Sequence, residues 1–266
     1  MGLINVDILE YVIWGGTIDA SDIKNFIIKD LHIFLTSDLT IKGSVVFINC
    51  LVCLNNNNFY SDDTLIMKNC VISGGRISFD EENCKGFYAP KGYIQDCSVN
   101  GFIPNEEICV KEILHSDFFR CNRIVCGSDD SIGEINDCTF TKCDEIQLRN
   151  GCVHDCEFIK LSHIKLNDSI LRRCSFEDSV CTDSPLITAM SKPFNRCIFK
   201  DIVLLGSSYL AELHGEALVD NCEFDNIRTS RKDKKLFIKA DAPDVDVAER
   251  LTNCHGLENV KNLEGE

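Results

Sequence analysis

The sequence predicts an all-β fold, a single-stranded right-handed parallel β-helix of about nine to eleven coils, and three observations predict it. First, nine segments align on a small residue that is usually cysteine: Cys50, Cys70, Cys97, Ser116, Cys138, Cys156, Cys174, Cys197 and Cys222, at intervals of 20, 27, 19, 22, 18, 18, 23 and 25 residues. Second, the residue two positions after each anchor is apolar (Val52, Ile72, Val99, Phe118, Phe140, Phe158, Phe176, Phe199, Phe224), and so is the residue three before it (Phe47, Met67, Ile94, Ile113, Ile135, Val153, Leu171, Phe194, Val219). Third, a polar residue directly precedes every anchor: Asn49, Asn69, Asp96, His115, Asp137, Asp155, Arg173, Arg196 and Asn221.

Side chains alternate across a strand, so an anchor and the residue two after it point to the same side. The spacing of three on the other flank breaks that alternation. A tight turn therefore falls between, and Asn or Asp at its end suits a left-handed backbone. In the two shortest repeats a further strand shows as Ile146-x-Leu148 and Ile164-x-Leu166, so each 18-residue coil supplies three short strands facing one axis. Strands this short bury no face alone, and stacking coils about 4.8 Å apart gives each one parallel partners above and below.

On this repeat, seen for instance in Asn150-Gly-Cys-Val-His-Asp-Cys-Glu-Phe158, the chain resembles the pectin-lyase-like superfamily over roughly Leu39 to Ala240. The resemblance implies the β-helix and, for activity, a polysaccharide lyase or glycoside hydrolase whose substrate lies on one sheet beside loops that lengthen some coils. The runner-up is a pentapeptide-repeat solenoid, whose acidic members mimic DNA. Its five-residue period holds from Cys174-x-Phe176 through Ser179-x-Cys181 and Ser184-x-Leu186, then fails at Ala189-x-Ser191.

A chain of 266 residues is accommodated by this fold as a single domain. Residues 1–38 lack the repeat and are expected to cap one end, residues 39–240 form the coils, and residues 241–266 form the other cap, with a short helix over Asp244–Leu251 entered after Pro243.

The formal net charge of -15 argues against general nucleic-acid or anionic-membrane binding. Met1 to Glu10 has no basic segment followed by an apolar run, and no uninterrupted apolar stretch approaches about 18 residues, so the expected setting is cytoplasmic, without a membrane span. There the 17 cysteines are expected as reduced core residues. Replacing Cys156 or Cys174 by Ser is accordingly expected to cost about 1 to 3 kcal/mol through a poorly satisfied buried hydroxyl. Neither Cys50-x-x-Cys53 nor Cys152-x-His154-x-Cys156 fits a standard zinc spacing, so neither a metal nor a cofactor is expected.

The candidate binding residues fall in two groups. One is a polar strip on the strands that floor the groove in the superfamily's enzymes: Glu145, Gln147 and Arg149 on one coil, His163 and Lys165 on the next. The other is a basic loop, Arg228, Arg231, Lys232, Lys234 and Lys235, where the longer coil intervals place an insertion; Cys181 to Pro185 marks a second insertion. The aspartates a polygalacturonase-like hydrolase needs, and the carboxylate cluster of a calcium-dependent lyase, do not assemble on that strip. The acidic pairs Asp62-Asp63, Glu81-Glu82, Glu106-Glu107 and Asp129-Asp130 read as turn residues and edge protectors. The expected function is a non-catalytic scaffold that binds a protein or glycan partner, or a further copy of itself as a homo-oligomer, through one sheet and its loops. A carbohydrate-active enzyme and a DNA mimic are the alternatives.

Overall fold

In the computed structural model the described residues are 10–24, 26–74, 86–128, 130–190, 192–240 and 247–263. They form a parallel β-solenoid of about 10 turns. Three columns of strands make its sides. The first runs through Phe59–Ser61, Glu145–Arg149, His163–Asn167, Ile187–Met190, Ala211–His214 and Phe237–Lys239; the second through Val45–Ile48, Leu65–Lys68, Cys152–His154 and Ile170–Arg172; the third through Leu51–Cys53, Val71–Ser73, Thr139–Thr141, Glu157–Ile159 and Ser175–Glu177. Every interstrand ladder between the strands is parallel, and residues at the same repeat position pair, as Phe140 with Phe158 and Phe158 with Phe176.

The corners follow the chemistry of the repeat. All nine polar residues before the anchors have left-handed backbones, with φ between 46° and 56°. A second left-handed corner lies four residues after the anchor, at Arg120, Lys142, Lys160, Asp178, Asp201 and Asn226. The apolar residues on both sides of the anchors point inward and are buried. The phenylalanines of the third column stack face to face, with ring centroids 5.0, 5.3, 4.7, 5.0 and 5.2 Å apart from Phe118 through Phe140, Phe158, Phe176 and Phe199 to Phe224.

The anchor turns out to be a hydrogen-bonding position as well as a core position. The left-handed corner points the anchor's N–H toward the next coil, where Cys50 N donates to Cys70 Sγ (3.4 Å), Cys70 N to Cys97 Sγ (3.3 Å) and Cys97 N to Ser116 Oγ (3.1 Å). Each side chain then donates to the carbonyl two residues before it, as Cys97 to Gln95 (3.1 Å) and Ser116 to Leu114 (2.6 Å). Thiol and hydroxyl both fit, which is why Ser116 interrupts the cysteines without breaking the ladder. The described cysteines are all free.

Two boundaries and one insertion differ from the sequence reading. Stacking begins before residue 39: Glu10–Asp19 and Phe26–Lys29 already pair in parallel with Leu31–Lys42 and Val45–Ile48. The segment Ile28-x-Asp30-Leu31-x-Ile33 is a repeat with leucine in the anchor's place, so its left-handed Asp30 was not recognisable by the cysteine. Stacking also runs past residue 240. Leu251–Thr252 pairs with Val219–Asp220 and is followed by left-handed Asn253 and the anchor Cys254, with Gly256 where an apolar residue was required. The helix expected over Asp244–Leu251 is a single 3-10 turn, Ala248–Arg250, within the described residues; 241–246 lie outside them. Finally, Cys181 belongs to no loop insertion. The coil from Cys174 to Cys197 is five residues longer than the 18-residue coil before it, and the addition forms a strand, Val180–Thr182, that buries Cys181 and opens a fourth column continued by Val203–Leu205, Arg228–Thr229 and Lys261–Asn262. Five residues is one corner-to-corner step, the distance from Asp168 to Arg173 to Asp178 to Asp183. The five-residue run read from the sequence is this local geometry.

Candidate functional site

Strand alternation turns the polar strip outward from the first column, and parallel pairing sets it in rows. Glu145 lies beside His163, Gln147 beside Lys165 and Arg149 beside Asn167. The rows continue in both directions: Glu107, Arg123, Glu145 and His163 form one, and Tyr60, Tyr88, Cys109, Val125, Gln147, Lys165, Thr188 and Glu212 the next.

Arg123 ties three coils together. Its Nη1 lies 3.2 Å from Glu107 Oε2, its Nε 3.7 Å from Glu145 Oε1, and its Nη2 donates to Gln147 Oε1 at 3.0 Å. Gln147 is only 5% exposed, so this outward-facing residue is a floor beneath the guanidinium, with Val125 and Cys109 buried beside it in the same row. Burial, reinforced by the nearby Glu107 carboxylate, pushes the Cys109 thiol up to about 11. Along the row toward the N-terminus the floor becomes aromatic: Tyr60 and Tyr88 are 38% and 44% exposed, with ring centroids 6.3 Å apart. Desolvation raises the Tyr88 hydroxyl above its ordinary range, so it stays a neutral donor at neutral pH. At the far end of the strands Lys111 donates to Tyr93 OH at 2.8 Å.

His163 is fixed by the next coil. Its Nδ1 is 2.7 Å from Pro185 O, and because a carbonyl only accepts, Nδ1 carries the proton and donates. Further along, His214 Nε2 sits 3.1 Å from Glu212 Oε1.

The basic residues occupy the same edge of the column, three strands on from His163 at about 4.8 Å per step. Arg228 lies in the fourth-column strand, not in a loop. Arg231 pairs with Asp233 (2.8 Å) and lies 4.2 Å over the Tyr209 ring, and Lys234 Nζ donates to Val260 O at 3.0 Å. Lys235 also has a partner, while Lys232 is exposed. Much of this basic charge is thus spent on holding the loop against the solenoid.

The structure therefore unites the strip into one surface, sets the basic loop at its margin, and adds Glu107, Arg123, Tyr60 and Tyr88, which sequence reasoning missed. Unequal coil intervals of 19 to 27 residues around those positions hid which residues share a row. Among the described residues no three His, Cys, Asp or Glu side chains gather to hold a metal ion, and no helix is long and apolar enough to cross a membrane. Cys50 faces the core whereas Cys53 faces outward, 3.7 Å from His32 Nε2; His154 lies between Glu134 and Asp155 outside the core that holds Cys156. Asp63 accepts from Gly43 N at 2.8 Å, a turn role; Glu81, Glu82 and Asp129 lie outside the described residues. No protein-family model matches this chain, and comparison with curated proteins finds no match.

Proposed function

We propose that the chain is a non-catalytic scaffold that binds an extended partner, a glycan or a protein segment, along the outward rows of the first column. The exposed Tyr60–Tyr88 pair, in register with the Arg123 clasp and Lys165, carries this reading and favours a glycan. Tyrosine rings offer flat apolar platforms with a polar edge, and the rows beside them supply donors and acceptors at the strand repeat.

The same geometry weighs against hydrolysis or elimination. A glycosidase needs one protonated and one ionised carboxyl flanking a bond, their environments pushed apart. Here Glu107 and Glu145 both turn onto the single Arg123 guanidinium instead of flanking an open space in which a bond could lie.

The test is to incubate the protein with acidic and neutral polysaccharides, with and without calcium, and to record binding and chain cleavage. Binding without cleavage, weakened at least tenfold by Tyr88→Ala, is the expected result. Cleavage would overturn the scaffold reading and direct mutagenesis to Glu145, His163 and Lys165. Absence of any glycan binding would remove the glycan and leave a protein partner.

A further inference from the structure

A second surface lies on the corner between the second and third columns. There the left-handed residue is Asp155, then Arg173, then Arg196 on successive coils. Arg173 Nε donates to Asp155 Oδ1 at 2.6 Å and its Nη2 meets Oδ2, so Nη1 is its uncommitted nitrogen. His154 Nδ1 lies 3.1 Å from the Asp155 carboxylate as well. The Arg196 side chain has no hydrogen bond or ion pair among the described residues, while its backbone N–H donates to Asp220 O at 3.0 Å. The side chain of Arg172, which is paired in register with Asn195, has none either. Arg172, Arg173 and Arg196 thus fall on two successive coils, about one strand spacing apart along the axis, on a chain whose net charge is -15. Arg173 and Arg196 line a shallow groove of about 330 Å³ together with Ser175 and the 43% exposed Ile198, and Asp155 and Glu157 line it as well, Glu157 as the in-register neighbour of Ser175.

Left-handed backbone favours Asn and Asp, which fill most other positions of the same column. Arg173 and Arg196 depart from that preference in succession, as the basic Arg120, Lys142 and Lys160 do at the other left-handed corner, and what sets this pair apart is the groove that they line. Arginine forks fit planar or tetrahedral oxyanions, and Ser175 Oγ adds a third donor on the strand beside them.

We propose that this groove binds a phosphate monoester, with the phosphate held by Arg196, the Nη1 edge of Arg173 and the Ser175 hydroxyl, and its organic part against Ile198. The site is separate from the first-column surface and stands or falls independently of it.

Isothermal titration with inorganic phosphate and with glucose 6-phosphate, against chloride at matched ionic strength, tests the assignment. The informative variant is Arg196→Asn, because Asn suits the left-handed corner and keeps the fold while removing the guanidinium. Expected are millimolar phosphate binding, tighter binding of the monoester, at least a fivefold loss in Arg196→Asn, and no loss in Lys165→Gln on the other surface. No binding beyond chloride, or equal binding by wild type and Arg196→Asn, would overturn the site. Monoester binding no tighter than inorganic phosphate would overturn the role given to Ile198, and loss in Lys165→Gln alone would move the anion to the first column.

Discussion

At the anchor the useful property of cysteine is that it is small and can both accept and donate. Cys70 N–H has Cys97 Sγ as its acceptor, and Cys97 N–H has the hydroxyl of Ser116. The serine penalty expected from burial alone is therefore too large. Cys97→Ser should change stability by less than about 1 kcal/mol, whereas Cys97→Val, which leaves Cys70 N–H without its acceptor, should cost about 1 to 3 kcal/mol in a denaturant titration. A serine variant as damaging as the valine one would show that the ladder contributes nothing. Burial raises the thiols of Cys53, Cys152 and Cys254 above their ordinary range, and pushes the deeper Cys181 up to about 12. Iodoacetamide near pH 8 should accordingly label the three half-buried thiols slowly and Cys181 only after unfolding, as read by peptide mass spectrometry. On the surface, hydrogen bonds from Arg173 and then His154 hold the Asp155 carboxyl well below the ordinary carboxylate range. A depressed folded-state pKa contributes stability above the unfolded value, about 3.9, that is lost as pH falls through the folded one. The stability gap between wild type and Asp155→Asn should therefore be modest at neutral pH, because the pair is exposed, and close in acid.

Strands of two to five residues have little intrinsic stability, and what fixes them is the contact each makes with its equivalents on the coils above and below. Phe158 is fully buried with a stacked ring on either side, whereas Phe224 ends its row against the edge of Phe237. Phe158→Ala should cost about 3 to 5 kcal/mol and Phe224→Ala distinctly less, measured by chemical denaturation. Equal losses would mean that ring stacking along the row adds nothing to burial. The strands with Phe and Cys at a spacing of two were legible because the same inward pair recurs at every anchor. The fourth column was not: Val180-Cys181-Thr182 reads as an ordinary polar-flanked tripeptide, and only its neighbours Val203–Leu205 and Arg228–Thr229 make it a strand. The terminal coils escaped for a similar reason, since Leu31 and Gly256 occupy positions that the repeat reserves for a small anchor and a large apolar residue.

For the whole molecule, contacts run between neighbouring coils, so the fold was readable from one well-kept repeat even where others are irregular. The candidate surface was less readable because it depends on which coils are adjacent in register. Glu145, Gln147, His163 and Lys165 fall on two 18-residue coils and could be aligned by eye, while Arg123, Glu107 and Tyr88 lie beyond longer and unequal intervals. Coils of 18, 20, 23 and 27 residues nevertheless advance the axis by the same single strand spacing, about 4.8 Å, because the extra chain goes into corners, loops or a fourth side. The solenoid is in this respect a ruler graduated in coils. Tyr88 and Lys165 stand four graduations apart, and duplicating the 18-residue coil 138–155, which repeats Glu145, Gln147 and Arg149 between them, would make it five. On the proposed reading, a partner that spans both marks would then bind more weakly in proportion to its own stiffness, and the spacing of the coils would set the length of partner that fits.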